Sequence, residues 1–178
     1  MITAGVDVGS KTVKIVILKD GTIVGKGMAT AGLEAQGAWD EAWDAALKEA
    51  GVSRDDIENT IGTGSRLREI EGEHNEMSMV TADARGMHEI NPEIRTILDV
   101  GAEEGRAIKV DANGKVPDFA VNEKCAAGAG AFMEAMSRAM QVSIEEFGEF
   151  ALKSTASLPI NAQCAVFAES EVVSLVHE

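Results

Sequence analysis

The tripeptide Asp-Val-Gly occurs twice, at residues 7–9 and 99–101, and each copy closes an apolar run with strand character. Both copies lead into the same succession: a short turn, a second apolar run with a basic residue, a two-residue Asp-Gly or Asn-Gly turn, and a third run. In the first copy these pieces are Ile2 to Val8, Thr12 to Leu18 with Lys14, Asp20-Gly21, and Thr22 to Met28. In the second they are Arg95 to Val100, Arg106 to Val110, Asn113-Gly114, and Lys115 to Asn122. Two-residue turns of this kind between apolar runs predict antiparallel hairpins. Asp-x-Gly alone is a common way to end a strand. Its recurrence with the same hairpin behind it predicts two similar lobes, placed at residues 1–92 and 93–178.

Between and after the hairpins the hydrophobic period changes. Trp39, Ala42, Trp43, Ala46, Leu47 and Ala50 fall on one face of an α-helix, with Gly51 as its stop. Ser53 to Asp56 reads as a capping box, and Asn59 to Thr63 as a strand ending in Gly62-Thr63-Gly64. A helix over Thr81 to Ile90 is halted by Asn91-Pro92. Three more helices are expected near Gly130 to Met140, Glu145 to Leu152 and Ala165 to Val176. The run from Met133 to Met140 suits a core or a dimer interface equally. Strands, hairpins and helices in this order define an α/β chain of mixed sheets with flanking helices.

A glycine turn after a strand can bring backbone N–H groups to an anion, which makes Gly9 and Ser10 candidate phosphate contacts. The Asp at the strand end can hold Mg²⁺ through water or orient an attacking water. Glu103 and Glu104 weaken the second turn as a cradle unless a cation bridges them. Overall charge points the same way. Sixteen Lys and Arg against 30 Asp and Glu give a net charge of −14, which repels phosphate backbones and argues against a general nucleic-acid binder. A nucleotide site would therefore depend on local donors. No apolar run reaches the roughly 18 residues of a membrane span, and the N-terminus lacks a basic signal region. A cytoplasmic location without membrane contact is expected.

The two cysteines, Cys125 and Cys164, are too few for a disulfide framework. Each precedes a helix, where the dipole favours thiolate. Position alone leaves several roles open: a buried structural thiol, an Fe–S ligand, a redox thiol, or a zinc ligand. An Fe–S cluster wants four thiolates, so a two-fold dimer would have to complete it. His74, His88 and His177 show no zinc-ligand spacing.

Cys125-Ala126-Ala127-Gly128-Ala129-Gly130-Ala131-Phe132, preceded by Val121 to Lys124, resembles the first cysteine motif of the ATP-dependent activators of 2-hydroxyacyl-CoA dehydratases. Related ATPase subunits of benzoyl-CoA reductase carry it too. Cys164-Ala165-Val166-Phe167-Ala168-Glu169-Ser170-Glu171 resembles the second. Asp7-Val8-Gly9-Ser10 with Lys14, and Asp99-Val100-Gly101, are similar to the two phosphate motifs of the acetate kinase/sugar kinase/Hsp70/actin superfamily. The segment Thr81 to Gly86 lies where the family has a similar Ala-Arg-Gly. The resemblance covers residues 1–178.

It implies a ribonuclease H-like, actin-like ATPase fold that binds ATP and Mg²⁺. Asp7 and Asp99 would act catalytically on Mg²⁺ and water. Gly9, Ser10, Lys11, Lys14, Gly101, Ala102 and Glu103 would line the nucleotide site. Cys125 and Cys164 from each of two identical or related subunits would share one [4Fe-4S] cluster. ATP-driven motion would then deliver a low-potential electron, received from a ferredoxin-like donor, to a CoA-thioester reductase or dehydratase. Where dehydratase activators usually carry Gly-Gly-Gln-Asp, this chain has Gly101-Ala102-Glu103-Glu104, which looks closer to the benzoyl-CoA reductase type. The family continues into a glycine-rich adenosine loop, so an incomplete second lobe is expected. The competing readings are a small-molecule kinase on the same fold and a nucleotide-binding sensor.

Overall fold

The computed structural model describes residues 1–72, 74–122, 130–161 and 164–177. The chain divides into two compact units. One comprises Met1–Arg95 with Val110–Pro117; the other comprises Thr96–Lys109 with Asp118–Glu178.

The first unit is built on five strands: β1 (Ile2–Val8), β2 (Thr12–Lys19), β3 (Thr22–Thr30), β4 (Asn59–Thr63) and β5 (Asn75–Glu76), ordered β3-β2-β1-β4-β5. β1–β2 and β2–β3 are antiparallel, whereas β4 runs parallel to β1. Period-two alternation turns Ala4, Val6, Val8, Val13, Ile15 and Ile17 to one face, all nearly or wholly buried. Helix α1 (Ala35–Ala50) covers that face with Trp39, Ala42, Trp43 and Ala46. Its backbone lies directly on β3. A Cβ added at Gly27 would stand 1.8 Å from the Ala42 carbonyl oxygen, so only glycine fits there. Gly51 ends the helix as expected, its N–H bonding to the Leu47 carbonyl. The Ser53 box forms, with the Ser53 N–H donating to Asp56 at 2.8 Å, and it brings the Arg54 guanidinium 3.5 Å from the centre of the Trp43 ring. Helix α2 (Met79–Ile90) starts at Ser78, whose hydroxyl accepts from the Thr81 N–H.

The second unit holds an antiparallel sheet of β6 (Thr96–Val100), β7 (Gly105–Lys109) and β8 (Asp118–Asn122), in that order. Its buried residues are Ile97 and Ile108 together with Arg106. Helices α3 (Gly130–Ala139), α4 (Ile144–Lys153) and α5 (Ala165–Val176) complete it, with α3 packed against both others. Of the methionine run, Met136 is buried while Met133 and Met140 are exposed. Among the described residues β6 pairs with β7 alone, whereas its counterpart β1 is flanked on both sides. No helix among the described residues is long and apolar enough to cross a membrane.

β8 begins three residues later than the sequence suggests. Pro117 cannot donate to a sheet ladder, and the preceding residues form a turn around Asp111. That carboxylate accepts from the Asn113 and Lys115 N–H groups at 2.8 and 2.9 Å. The Lys115 and then the Asn113 backbone bonds hold the Asp111 carboxyl below its ordinary value. A depressed folded-state value contributes stability that is present above the unfolded value and lost as pH falls through the folded one. The melting-temperature gap between the protein and Asp111→Ala should thus be constant above about pH 5 and close at lower pH. A gap that instead widens on acidification would show that another group governs this turn.

Candidate functional site

The two Asp-Val-Gly turns are built alike along the backbone. In the first, β1 and β2 pair Val8 with Val13 and Asp7 with Lys14. In the second, β6 and β7 pair Val100 with Gly105 and Asp99 with Arg106. The Gly9 N–H donates to the Thr12 carbonyl at 3.0 Å, and the Gly101 N–H to the Glu104 carbonyl at 2.9 Å. These glycine N–H groups therefore close the turns. The tip of each turn is formed by Ser10 and the exposed Lys11 in one, and by Ala102 and the exposed Glu103 in the other.

Register also sets an ion pair across each hairpin. The Lys14 ammonium lies 2.9 Å from Asp7 Oδ2, with the two side chains 45% and 39% exposed. In the second hairpin the Arg106 side chain is only 7% exposed, and its two terminal nitrogens grip Asp99 and Glu104 separately. One guanidinium thus offsets one of the two charges of Asp99 and Glu104, and Glu103 adds a further negative charge at the exposed tip of this turn. Planar guanidinium geometry allows that double grip, which a lysine could not reproduce.

The second turn is tied to the helix that follows the first cysteine motif. The Gly130 N–H donates to the Gly101 carbonyl at 2.8 Å and the Ala131 N–H to the Ala102 carbonyl at 3.0 Å. Two of the N–H groups a helix leaves open at its start are satisfied this way. α3 in turn packs on α5. Cys164 is the N-cap residue of α5, half-buried and in no disulfide. Its N–H donates to Asn161 Oδ1 at 2.9 Å, and the Asn161 N–H donates to Glu171 of the same helix at 2.7 Å. Cys125 lies outside the described residues. Among the described residues no three His, Cys, Asp or Glu side chains converge as a metal site would require.

The structure therefore groups Asp7, Gly9, Ser10, Lys11 and Lys14 at one turn, and Asp99, Gly101, Ala102 and Glu103 at the other. Cys164 stands apart at its helix start. The motifs did not disclose the Arg106 double grip or the Gly101–Gly130 link, because both depend on pairings between distant residues.

A mixed β3-β2-β1-β4-β5 sheet with an Asp-Val-Gly turn at the end of its central strand, repeated in part in a second unit, defines an actin-like ATPase fold. Residues 4–178 match the BadF/BadG/BcrA/BcrD ATPase family, and the chain belongs to it. It is 38% identical over 175 residues to the activator of lactoyl-CoA dehydratase from Anaerotignum propionicum, covering 98% of this chain and 67% of that one. Identity to a subunit of benzoyl-CoA reductase from Thauera aromatica is 33%, covering 98% of this chain and 64% of that one. The structure of the activator of 2-hydroxyisocaproyl-CoA dehydratase from Clostridium difficile, with bound ADPNP, superposes with a TM-score of 0.87 at 34% identity, covering 99% of this chain and 66% of that one. The chain thus spans about two thirds of the length of the curated relatives it matches. The comparisons give no support to the preference for the benzoyl-CoA reductase type. That preference rested on one turn, whereas the higher identity to a dehydratase activator is spread over the chain.

Proposed function

We propose that this protein is an ATP-dependent activator that passes a low-potential electron to a CoA-thioester dehydratase. The observation that carries the reading is the pair of backbone bonds from Gly130 and Ala131 to the Gly101–Ala102 turn. A phosphate chain that shifts this turn also shifts the start of α3, and α3 packs on the helix headed by Cys164. ATP biases the protein by the difference in its affinity for the two arrangements. The relatives' activator role supports the same reading.

In this proposal Lys11 and the Ser10 backbone contact phosphate oxygens. Asp7 and Asp99, each at its own turn, would orient water and hold Mg²⁺, which when bound supplies positive charge against the phosphates. Lys14 and Arg106 fix the direction of those carboxylates. Cys125 and Cys164 of two protomers would hold a [4Fe-4S] cluster, which when bound supplies one-electron chemistry at low potential. Cys164 fits such a role: it is half-buried, outside any disulfide, and at the start of a helix. The alternative, an aromatic-ring reductase as partner, rests only on the Gly101-Ala102-Glu103-Glu104 turn.

Anaerobic purification of the full protein tests this. About four irons with matching sulfide per pair of chains are expected, with both lost in Cys164→Ser while ATP binding persists. A folded, iron-free protein that cannot reactivate a 2-hydroxyacyl-CoA dehydratase with ATP and reductant would refute the proposal.

A further inference from the structure

The first turn has a neighbour on its other side. β4 runs parallel to β1, and the register sets Thr63 opposite Asp7. Lys14 stands opposite Asp7 on β2. Residues paired across strands project from the same sheet face, so Lys14, Asp7 and Thr63 form one row over three strands. Strand spacing puts the Thr63 Cβ roughly 5 Å from that of Asp7.

The Thr63 hydroxyl is secluded from bulk water and has no hydrogen-bond partner among the described residues. An unpaired hydroxyl in that setting costs stability, and valine would fill the same shape in a strand without the cost. The strand end is nonetheless held firmly where it is. Gly64 has φ +108, and a Cβ there would meet the Val8 carbonyl oxygen at 2.3 Å. The Arg66 N–H donates to that same carbonyl at 3.0 Å, and the Arg66 guanidinium donates to the Gly32 and Leu33 carbonyls at 3.0 and 2.8 Å. The hydroxyl is thus fixed beside Asp7 with its hydrogen-bonding capacity unused. Lys14, on the other side, is already engaged by Asp7 at 2.9 Å.

We propose that Thr63 is a positioning residue of the nucleotide site, its secluded hydroxyl donating to the Asp7 carboxylate when nucleotide draws that carboxylate off Lys14, and so aiming it at the water or phosphate on which it acts. This rests on the ATP-site reading above. The test compares Thr63→Val and Thr63→Ser in the full protein, measuring ATP affinity, phosphate release and the melting temperature without nucleotide. Thr63→Val should slow phosphate release about tenfold or more, keep ATP affinity within about threefold, and raise the melting temperature by about 2–4 °C. Thr63→Ser should recover release to within about threefold. Wild-type rates in Thr63→Val would overturn the inference and leave the nucleotide site standing. So would a fall in melting temperature common to both variants, which would assign the residue to packing. A wild-type protein that neither binds nor hydrolyses ATP would overturn both.

Discussion

Asp7→Ala should lower ATP hydrolysis by at least about 100-fold while the protein stays folded. The carboxylate lies one residue short of the end of β1, the central strand of its sheet. Strand pairing fixes it from both sides, by Lys14 on β2 and Thr63 on β4. Its ion-pair partner is a lysine at 2.9 Å, and both side chains are well exposed. Exposed ion pairs of this kind contribute about 0–1 kcal/mol, so the melting temperature should move by no more than a few degrees. A carboxylate that mattered to the fold would be buried among several donors, and this one is not. Asp7→Asn keeps the shape and removes the charge, and should be nearly as slow. Phosphate release measured beside a thermal melt separates the two roles. Hydrolysis within twofold of wild type would assign the chemistry to Asp99 or elsewhere.

Local pattern carried much of the fold. Period-two alternation and the Asp20-Gly21 turn predict β1 to β3 almost to the residue, and the i, i+3, i+4 stripe finds α1. The stripe places the helix start at Trp39, but the helix begins at Ala35, because Ala-Gln-Gly-Ala carries little periodic signal. β5 is two residues long and exists only by pairing with β4. The Asp-Val-Gly repeat disclosed both turns, and the basic residue on each following strand was visible as well. That these bases sit opposite the aspartates follows from a hairpin register that sequence suggests but does not fix. Thr63 was seen only as the end of a strand. Its place beside Asp7 needs β4 to pair in parallel with β1 across more than fifty residues of chain. In the sequence Glu104 stands as a bare negative charge, and Arg106 offsets it in part through a contact no spacing rule encodes.

The two hairpins offer a comparison in which register is constant and burial differs. Lys14→Met removes a cation from a pair with both members exposed and should cost at most about 1 kcal/mol. Arg106→Met removes a cation that is itself buried and that serves Asp99 and Glu104 together. The two carboxylates, 31% and 30% exposed, would then face each other without compensation. Taking one member from a buried ion pair costs about 3–5 kcal/mol, and partial solvation of the acids places this case at about 3 kcal/mol. That corresponds to a fall in melting temperature of roughly 6–12 °C for a chain of this size. Arg106→Lys keeps the charge but cannot reach both acids in a fork, so its loss should fall in between. Adding Glu104→Gln to Arg106→Met removes the repulsion and should restore part of the stability, a coupling a double-mutant cycle reads directly. Equal losses for Lys14→Met and Arg106→Met would mean that burial does not set the strength of these pairs. The second turn would then be held by its Gly101–Gly130 and Ala102–Ala131 bonds to α3 alone.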